Sequence, residues 1–341
     1  MFLFSPRSRR STLSSMALAT GLLLLTMLLS ACGGSGLAVF NGSTPTPFPA
    51  AVSCSVSAAD LGPGGSGKGT APNDKATGTI TVDGSSLLEP LVSQASKEYL
   101  ATNTKAKITV NAADSSTGLS DVESGKVQIG MSDLFAKDVN ATTYANLVDH
   151  QLGVVIFALV VNPDVAASVT NLTTQQIQQI FDGQITDWSA LGGPNEQITV
   201  IGRPTGSETD STFTKYVMQN APSGAALIVQ DDNSALGDAV SSTPGAIGYI
   251  ATSFIGTGGK YKGKVVPVCV DGQKPSPDAA ASNAYQFWSI EHLYTKGQPT
   301  GLAASFIKYM LSSAFQTNDL TGMYFLPVSK LSAAALAAHQ P

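Results

Sequence analysis

The sequence predicts an α/β protein built mainly on parallel sheets, and three observations support this fold class. From Thr77 onward, segments with strand-like alternation are followed by segments with helical apolar spacing. Residues 153–162 form an uninterrupted apolar run, which is typical of a strand buried on both faces. Polar loops rich in Gly and Ser follow several of the strands, at the points where helices begin. Such alternation indicates strands that are joined by crossover helices.

The first 31 residues have the features of a lipoprotein signal peptide. Residues 1–15 carry three arginines and no acid, and residues 16–29 are an apolar run that is too short for a membrane span of about 20 residues. Small residues before Cys32 resemble a bacterial lipobox, which implies cleavage there and lipidation of the Cys32 sulfur; an uncleaved anchor is the alternative. We expect an extracytoplasmic protein that is held at the cell membrane by its lipid.

Residues 32–76 are rich in Gly, Ser, Thr, Pro and Ala, and this composition predicts a flexible, lipidated stalk. The two remaining cysteines, Cys54 and Cys269, could pair in an oxidising compartment or remain independent thiols. If they pair, the disulfide would clamp the stalk onto the folded body.

After residue 76, the sequence pattern predicts alternating strands and helices. The predicted strands lie at 77–84, 107–110, 127–133, 153–162, 197–203, 245–251, 264–270 and 285–297. The predicted helices begin within 85–100, 114–118, 174–183, 207–218, 300–314 and 331–341. Thr173 or Thr174 is the expected N-cap of the helix at 174–183, which Gly183 ends.

The charged residues argue against two classes of ligand and draw attention to Arg203. The chain has 19 Lys+Arg against 24 Asp+Glu, a net charge of -5, which argues against nucleic acid or an anionic membrane surface as ligand. Loss of residues 1–31 would remove three arginines and no acid, so the mature balance would be -8. Arg203 is the sole arginine after residue 10.

Three loops share one design, because each follows a predicted strand and opens a helix with small hydroxyl residues. They lie at 84–86, 114–118 and 203–209. In a parallel α/β sheet such loops gather at one edge, where unpaired helix N–H groups attract an anion. The guanidinium of Arg203 would add a planar fork that matches two oxygens of an oxyanion. Taken singly, each loop could instead be an ordinary N-cap.

At these residues the chain resembles the phosphate-binding proteins of bacterial ABC phosphate importers, the PstS family. The resemblance covers about residues 77–337. The motifs that carry it are GSSxxxPL at 84–91, SSxG at 115–118, GxxxxGxSD at 125–133, NLTxxQIxxIFDGxITDWS at 171–189, GRxxGSxT at 202–209, PGAIGYI at 244–250 and LYTKGQP at 293–299. It implies a periplasmic-binding-protein-like fold with mixed, mainly parallel sheets and a ligand cleft between two lobes, residues 77–156 plus 285–337 and residues 157–284.

The resemblance also implies which residues contact the anion. Side-chain contacts fall on Ser115, Asp133, Arg203, Ser207 and Thr209, and backbone N–H contacts fall near Leu88 and Glu208. Asp133 would accept a hydrogen bond from a proton of phosphate, whereas sulfate has no proton to offer it.

Two positions depart from the family pattern. Leu87 stands where the family usually has a threonine that donates to phosphate, so that Ser86 would have to substitute. Glu208 stands where the arginine loop usually has a glycine. Its side chain must either point away from the anion or act as a second proton acceptor.

The implied function is the capture of inorganic phosphate by a monomer and its delivery to an ABC permease, with no catalysis, cofactor or metal. A phosphate sensor, or a binder of arsenate or a phosphate ester, would use the same site. A serine-dependent phosphatase or hydrolase acting through Ser85 or Ser86 is the other class, and it would need a base. His150, His292 and His339 all lie outside the loops at the expected site edge.

Overall fold

The structure is a computed structural model that describes residues 54–65, 69–205, 207–221, 223–224 and 227–341. The predicted signal peptide and the lipidation site at Cys32 lie outside the described residues. Among the described residues, no helix combines the length and the apolar character needed to cross a membrane.

The order of the elements confirms the α/β prediction. The strands are β1 (Gly78–Gly84), β2 (Ala106–Val110), β3 (Ile129–Ser132), β4 (Leu147–Val161), β5 (Asn171–Leu172), β6 (Thr199–Gly202), β7 (Ile228–Val229), β8 (Ala246–Ala251), β9 (Val266–Pro267), β10 (Cys269–Val270), β11 (Trp288–Lys296) and β12 (Phe325–Leu326). The α-helices are α1 (Glu89–Thr102), α2 (Ser115–Ser124), α3 (Ala136–Asn140), α4 (Pro163–Ala166), α5 (Thr174–Phe181), α6 (Glu208–Tyr216), α7 (Asn233–Ser242), α8 (Pro277–Ala281), α9 (Gly301–Met310), α10 (Ser313–Phe315) and α11 (Ala333–Ala338). Short 3-10 turns lie at Trp188–Leu191, Thr252–Phe254 and Val328–Lys330, and a π-helical turn lies at Gln316–Leu320.

The main sheet has the strand order β2-β1-β3-β11-β4-β8-β6-β7. Its two ends are parallel, with β1 between β2 and β3 at one end and β6 between β7 and β8 at the other. In the middle, β11 runs antiparallel to β3 and β4, and β4 runs antiparallel to β8. We call the half built on β1, β2, β3 and β11 lobe 1, and the half built on β6, β7 and β8 lobe 2.

Strand β4 belongs to both lobes. It pairs with β11 as far as Ile156 and with β8 from Phe157 onward. Its residues from Leu152 onward are buried, which confirms the prediction of a strand covered on both faces.

The segment that leads from lobe 2 back to lobe 1 lies beside Phe157 of β4. The Phe157 N–H donates to the Phe287 carbonyl at 3.0 Å, and the Tyr285 hydroxyl donates to the Phe157 carbonyl at 2.7 Å. The Phe157 and Phe287 rings pack with their centroids 5.1 Å apart. We therefore keep residues 156/157 and 284/285 as the proposed lobe boundaries.

The strand predicted at 264–270 is divided into two short strands in the structure. The apolar segment 264–270 forms β9, which pairs with β4, and then β10, which pairs with β5 in a separate two-stranded sheet. Pro267 has no N–H to continue a ladder, and the chain changes partner strand directly after it.

The composition of residues 32–76 predicts a flexible stalk, yet its described part packs against the body. Leu61 is 1% exposed and belongs to a core cluster of lobe 2. The Gly69 N–H donates to Asp319 Oδ2 at 2.8 Å. Composition counts apolar side chains, whereas the described part of this segment is held by only two buried ones, Leu61 and Ala71, together with hydrogen bonds and the ion pair between Asp60 and Lys274.

The same segment is attached covalently. Cys54 and Cys269 form a disulfide bond with their Cα atoms 6.1 Å apart and 215 positions between them in the chain. Cys269 is fully buried in β10, so the bond joins the start of the described chain to lobe 2.

Reduction of this disulfide should lower the free energy of unfolding by about 2–4 kcal/mol, because the unfolded chain would regain the freedom of a long loop. Urea unfolding with and without reductant measures the difference. A Cys54→Ser/Cys269→Ser double variant should unfold at the lower midpoint in both conditions. Equal midpoints for the oxidised and reduced protein would contradict the prediction.

Candidate anion-binding site

A cavity of about 460 Å³ lies where the loops after β1, β2, β3 and β6 meet the start of α7. Residues 85–87, 113–116, Asp133, the described part of 203–209, Asp231 and Asn233 line it. The first two groups and Asp133 belong to lobe 1, and the others belong to lobe 2. The three loops singled out in the sequence therefore meet in one cavity.

The loop after β1 differs in detail from the expectation. Ser85 Oγ accepts hydrogen bonds from the N–H groups of Leu87 and Leu88, each at 3.2 Å. The Leu88 N–H is thus used inside the loop, and its side chain is fully buried away from the cavity. Ser86 lines the cavity with an exposed side chain, while its N–H donates to the Ala113 carbonyl at 3.0 Å.

Close packing brings the start of α2 against the end of β3. A Cβ atom on Gly118 would lie 2.4 Å from the Met131 carbonyl oxygen, so only glycine allows this approach. Ser115, at the first position of α2, then accepts a hydrogen bond at its Oγ from the Asp133 N–H at 3.0 Å. Two of the predicted site residues of lobe 1, Ser115 and Asp133, are therefore joined to each other.

Arg203 is held by main-chain carbonyl groups. Its Nε donates to the Gln230 carbonyl at 3.0 Å, and Nη2 donates to the Asp231 carbonyl at 2.6 Å. Nη1 lies 3.4 Å from Thr209 Oγ1. The side chain is 9% exposed. These bonds fix the plane of the guanidinium, and none of them neutralises its charge.

The helix that follows Arg203 faces α2 across the cavity. Ser207 caps α6, with its Oγ accepting from the Asp210 N–H at 3.3 Å. The next residue, Glu208, turns its side chain toward lobe 1, where Oε1 accepts from the Ser115 N–H at 3.1 Å. Of the two orientations left open by the sequence, the side chain adopts the one that points into the cavity.

Asp133 is a buried carboxyl group with an unused oxygen. Its side chain lines the cavity, the residue is 8% exposed, and no described residue gives Oδ1 a hydrogen-bond partner. Burial raises the pKa of Asp133 to about 6, and the nearby Glu208 charge acts in the same direction. A hydrogen bond with Glu291 opposes this rise.

Glu291 is a second buried carboxyl group beside Asp133. Strands β3 and β11 pair with His292 opposite Ser132, so the next residues in each strand, Asp133 and Glu291, are neighbours. Glu291 is 0% exposed. Burial and the adjacent Asp133 carboxylate raise the pKa of Glu291 well above its ordinary value. We infer that Glu291 keeps its proton at neutral pH and donates it to Asp133, which remains the acceptor.

The cavity thus brings together seven of the eight predicted contact residues and leaves out Leu88. Those seven are Ser86, Ser115, Asp133, Arg203, Ser207, Glu208 and Thr209. Sequence reasoning missed Asp231 and Asn233 in the cavity wall and Glu291 behind it. The acid of Glu291 within the apolar strand segment 287–294 was the one available signal, because a carboxyl group in such a strand needs a buried partner.

Two helix starts, one guanidinium and several hydroxyl groups can together hold a small oxyanion. Among the described residues, no group of three His, Cys, Asp or Glu side chains has an arrangement that could hold a metal ion.

Comparison with known proteins agrees with this site. The PBP superfamily domain matches residues 69–314. The phosphate-binding protein PstS of Bacillus subtilis is 39% identical over 258 residues, which cover 76% of this chain and 83% of that protein.

Solved structures share the fold. A substrate-binding protein from Clostridium perfringens with bound phosphate superimposes with a TM-score of 0.63 at 23% identity, covering 74% of this chain and 100% of that one. An ABC-type phosphate transport receptor from Vibrio cholerae gives 0.58 at 23% identity, covering 72% and 99%. The two-lobed periplasmic-binding-protein-like fold and the identity to the Bacillus protein lead to one conclusion: the chain belongs to the PstS family of phosphate-binding proteins within the PBP superfamily.

Proposed function

We propose that this protein captures inorganic phosphate between its lobes and delivers it to the permease of an ABC transporter. The observation that carries the proposal is the meeting of α2 and α6 at one cavity that holds both Arg203 and Asp133. The names of the relatives, which are phosphate-binding proteins and receptors for phosphate transport, support the choice of ligand.

Phosphate would bind chiefly to lobe 2. The guanidinium of Arg203 has five N–H donors, of which three contact the carbonyls and hydroxyl named above. The remaining donors and the first N–H groups of α6 can reach anion oxygens, and the dipole of α6 adds attraction. Lobe 1 would contribute the hydroxyl of Ser115 and the α2 terminus, so that closing the lobes completes the shell of donors.

Asp133 gives the site a preference for a protonated anion. An ionised carboxylate can only accept hydrogen bonds, and its free Oδ1 would accept one from a phosphate hydroxyl. Sulfate has no proton at neutral pH and would face a buried like charge. The hydrogen bond from Glu291 favours the ionised form of Asp133 and so supports this discrimination.

We propose no catalytic role. His150 lies 3.0 Å from Thr295 Oγ1, His292 lies 2.8 Å from Asp149, and the His339 ring stacks on Trp288. These contacts engage all three histidines away from the hydroxyl groups of residues 85 and 86, which therefore lack a histidine base for nucleophilic attack.

The remaining parts of the proposal concern location. The protein would be a monomer. A lipid on Cys32 would hold it at the outer face of the cell membrane, close to the permease. Metabolic labelling with a radioactive fatty acid tests this, because Cys32→Ser should abolish incorporation of the label.

Replacing Arg203 by Ala should weaken phosphate binding about 100-fold or more, because hydrogen bonds to charged groups contribute about 1.5–3 kcal/mol each. Arg203→Lys keeps the positive charge but loses the planar set of N–H donors. Its affinity for phosphate should therefore lie between those of the parent protein and Arg203→Ala. Isothermal titration calorimetry measures the affinities, with Lys262→Ala as the control for loss of an exposed cation. Unchanged affinity in Arg203→Ala would refute the placement of the anion.

Asp133→Asn should admit sulfate, since an amide N–H₂ can donate to an oxygen that carries no proton. The parent protein should show the same change as the pH falls through about 6, where Asp133 takes up its proton. Competition of sulfate with labelled phosphate between about pH 5 and pH 8 tests both expectations, with the exposed Asp164→Asn as control. Sulfate excluded equally by all three proteins at every pH would show that Asp133 does not discriminate.

A further inference from the structure

Two acidic residues from opposite lobes contact Ser115, Asp133 through its backbone N–H and Glu208 through its carboxylate. The Asp133 N–H donates to Ser115 Oγ at 3.0 Å, and the Ser115 N–H donates to Glu208 Oε1 at 3.1 Å. The proton-acceptor role argued above needs only Asp133. The Glu208 carboxylate, which lines the same cavity, has no part in that role.

The charges around the cavity are unbalanced before any ligand enters. Arg203 is the only cation among the described residues that line it, against four acidic residues, Asp114, Asp133, Glu208 and Asp231. Of these, Asp114 caps α2 and Asp231 lies at the exposed rim. Outside the lining lie Asp210, which accepts from Tyr249, and the buried Glu291 and His292 behind Asp133. A phosphate dianion would add two more negative charges to this space.

A proton on the ligand would reduce the repulsion between the bound anion and these carboxylates. A carboxylate accepts hydrogen bonds and donates none, so a ligand oxygen that contacts Glu208 must carry a proton. Asp133 and Glu208 reach the cavity from different lobes and require two different protons. A contact between either carboxylate and an unprotonated oxygen would be repulsive in a mostly buried space.

We propose that Glu208 is a second proton acceptor of the ligand site, so that phosphate is bound together with one additional proton, as the dihydrogen monoanion. The proposal rests on the proposed phosphate-binding function and names the protonation state that this chain selects. Above neutral pH free phosphate is mainly the dianion, so binding must then take up a proton from solution. Affinity should fall by about tenfold for each unit of pH in that range.

Calorimetry of phosphate binding counts this proton. Titrations at about pH 8 in two buffers with different enthalpies of ionisation should give an uptake of about one proton per phosphate in the parent protein. Glu208→Gln, whose amide can donate to an unprotonated oxygen, should take up about one proton less and should lose most of the pH dependence. Glu208→Ala serves as the second variant and should behave in the same direction.

Glu89→Gln is the matched control, since Glu89 also occupies the first position of a helix but lies outside the cavity and contacts Ser93. It should retain the proton uptake of the parent protein. Phosphate binding with equal proton uptake in the parent and Glu208→Gln proteins would overturn the role of Glu208 and leave the proposed function intact. Absence of phosphate binding in the parent protein would overturn both.

Discussion

The buried guanidinium of Arg203 is the interaction on which the site depends. A buried cation is usually paired with a carboxylate, and such a pair would already be neutral. Here the hydrogen bonds go to two main-chain carbonyls and a hydroxyl, and among the described residues Arg203 has no ion pair within 4.0 Å. The carbonyl dipoles hold the group in place without cancelling its charge, which remains available to an anion. An acidic protein can in this way offer a local positive site.

The backbone around the cavity serves this arrangement. Glycine at position 118 lets α2 pack directly on β3, and this contact brings Ser115 to Asp133. Strand β11 then places Glu291 behind Asp133. Sheet register and helix packing thus position Asp133 facing the cavity and Glu291 enclosed by the core.

Local sequence predicted the fold class and most of the cavity wall, because each strand, the Gly/Ser loop after it and the next helix are adjacent in the sequence. The points that differ depend on contacts formed only when the chain folds. Leu88 was expected to offer its N–H to the anion, but Ser85 takes that hydrogen bond once the loop closes. Glu291 came into the site only through strand pairing, and the segment before residue 77 is ordered by contacts with residues some 215–250 positions later.

That segment has a mechanical consequence. Its disulfide is to β10 in lobe 2, whereas its later contacts with lobe 1 are hydrogen bonds, such as those of Gly69 with Asp319 and of Pro72 with Asn103. Tension applied from the N-terminal side would pass through the disulfide to Cys269, so the hydrogen bonds with lobe 1 would carry little of it. Lobe 2, which carries Arg203, is therefore the lobe that stays attached under load, and lobe 1 is the one free to swing.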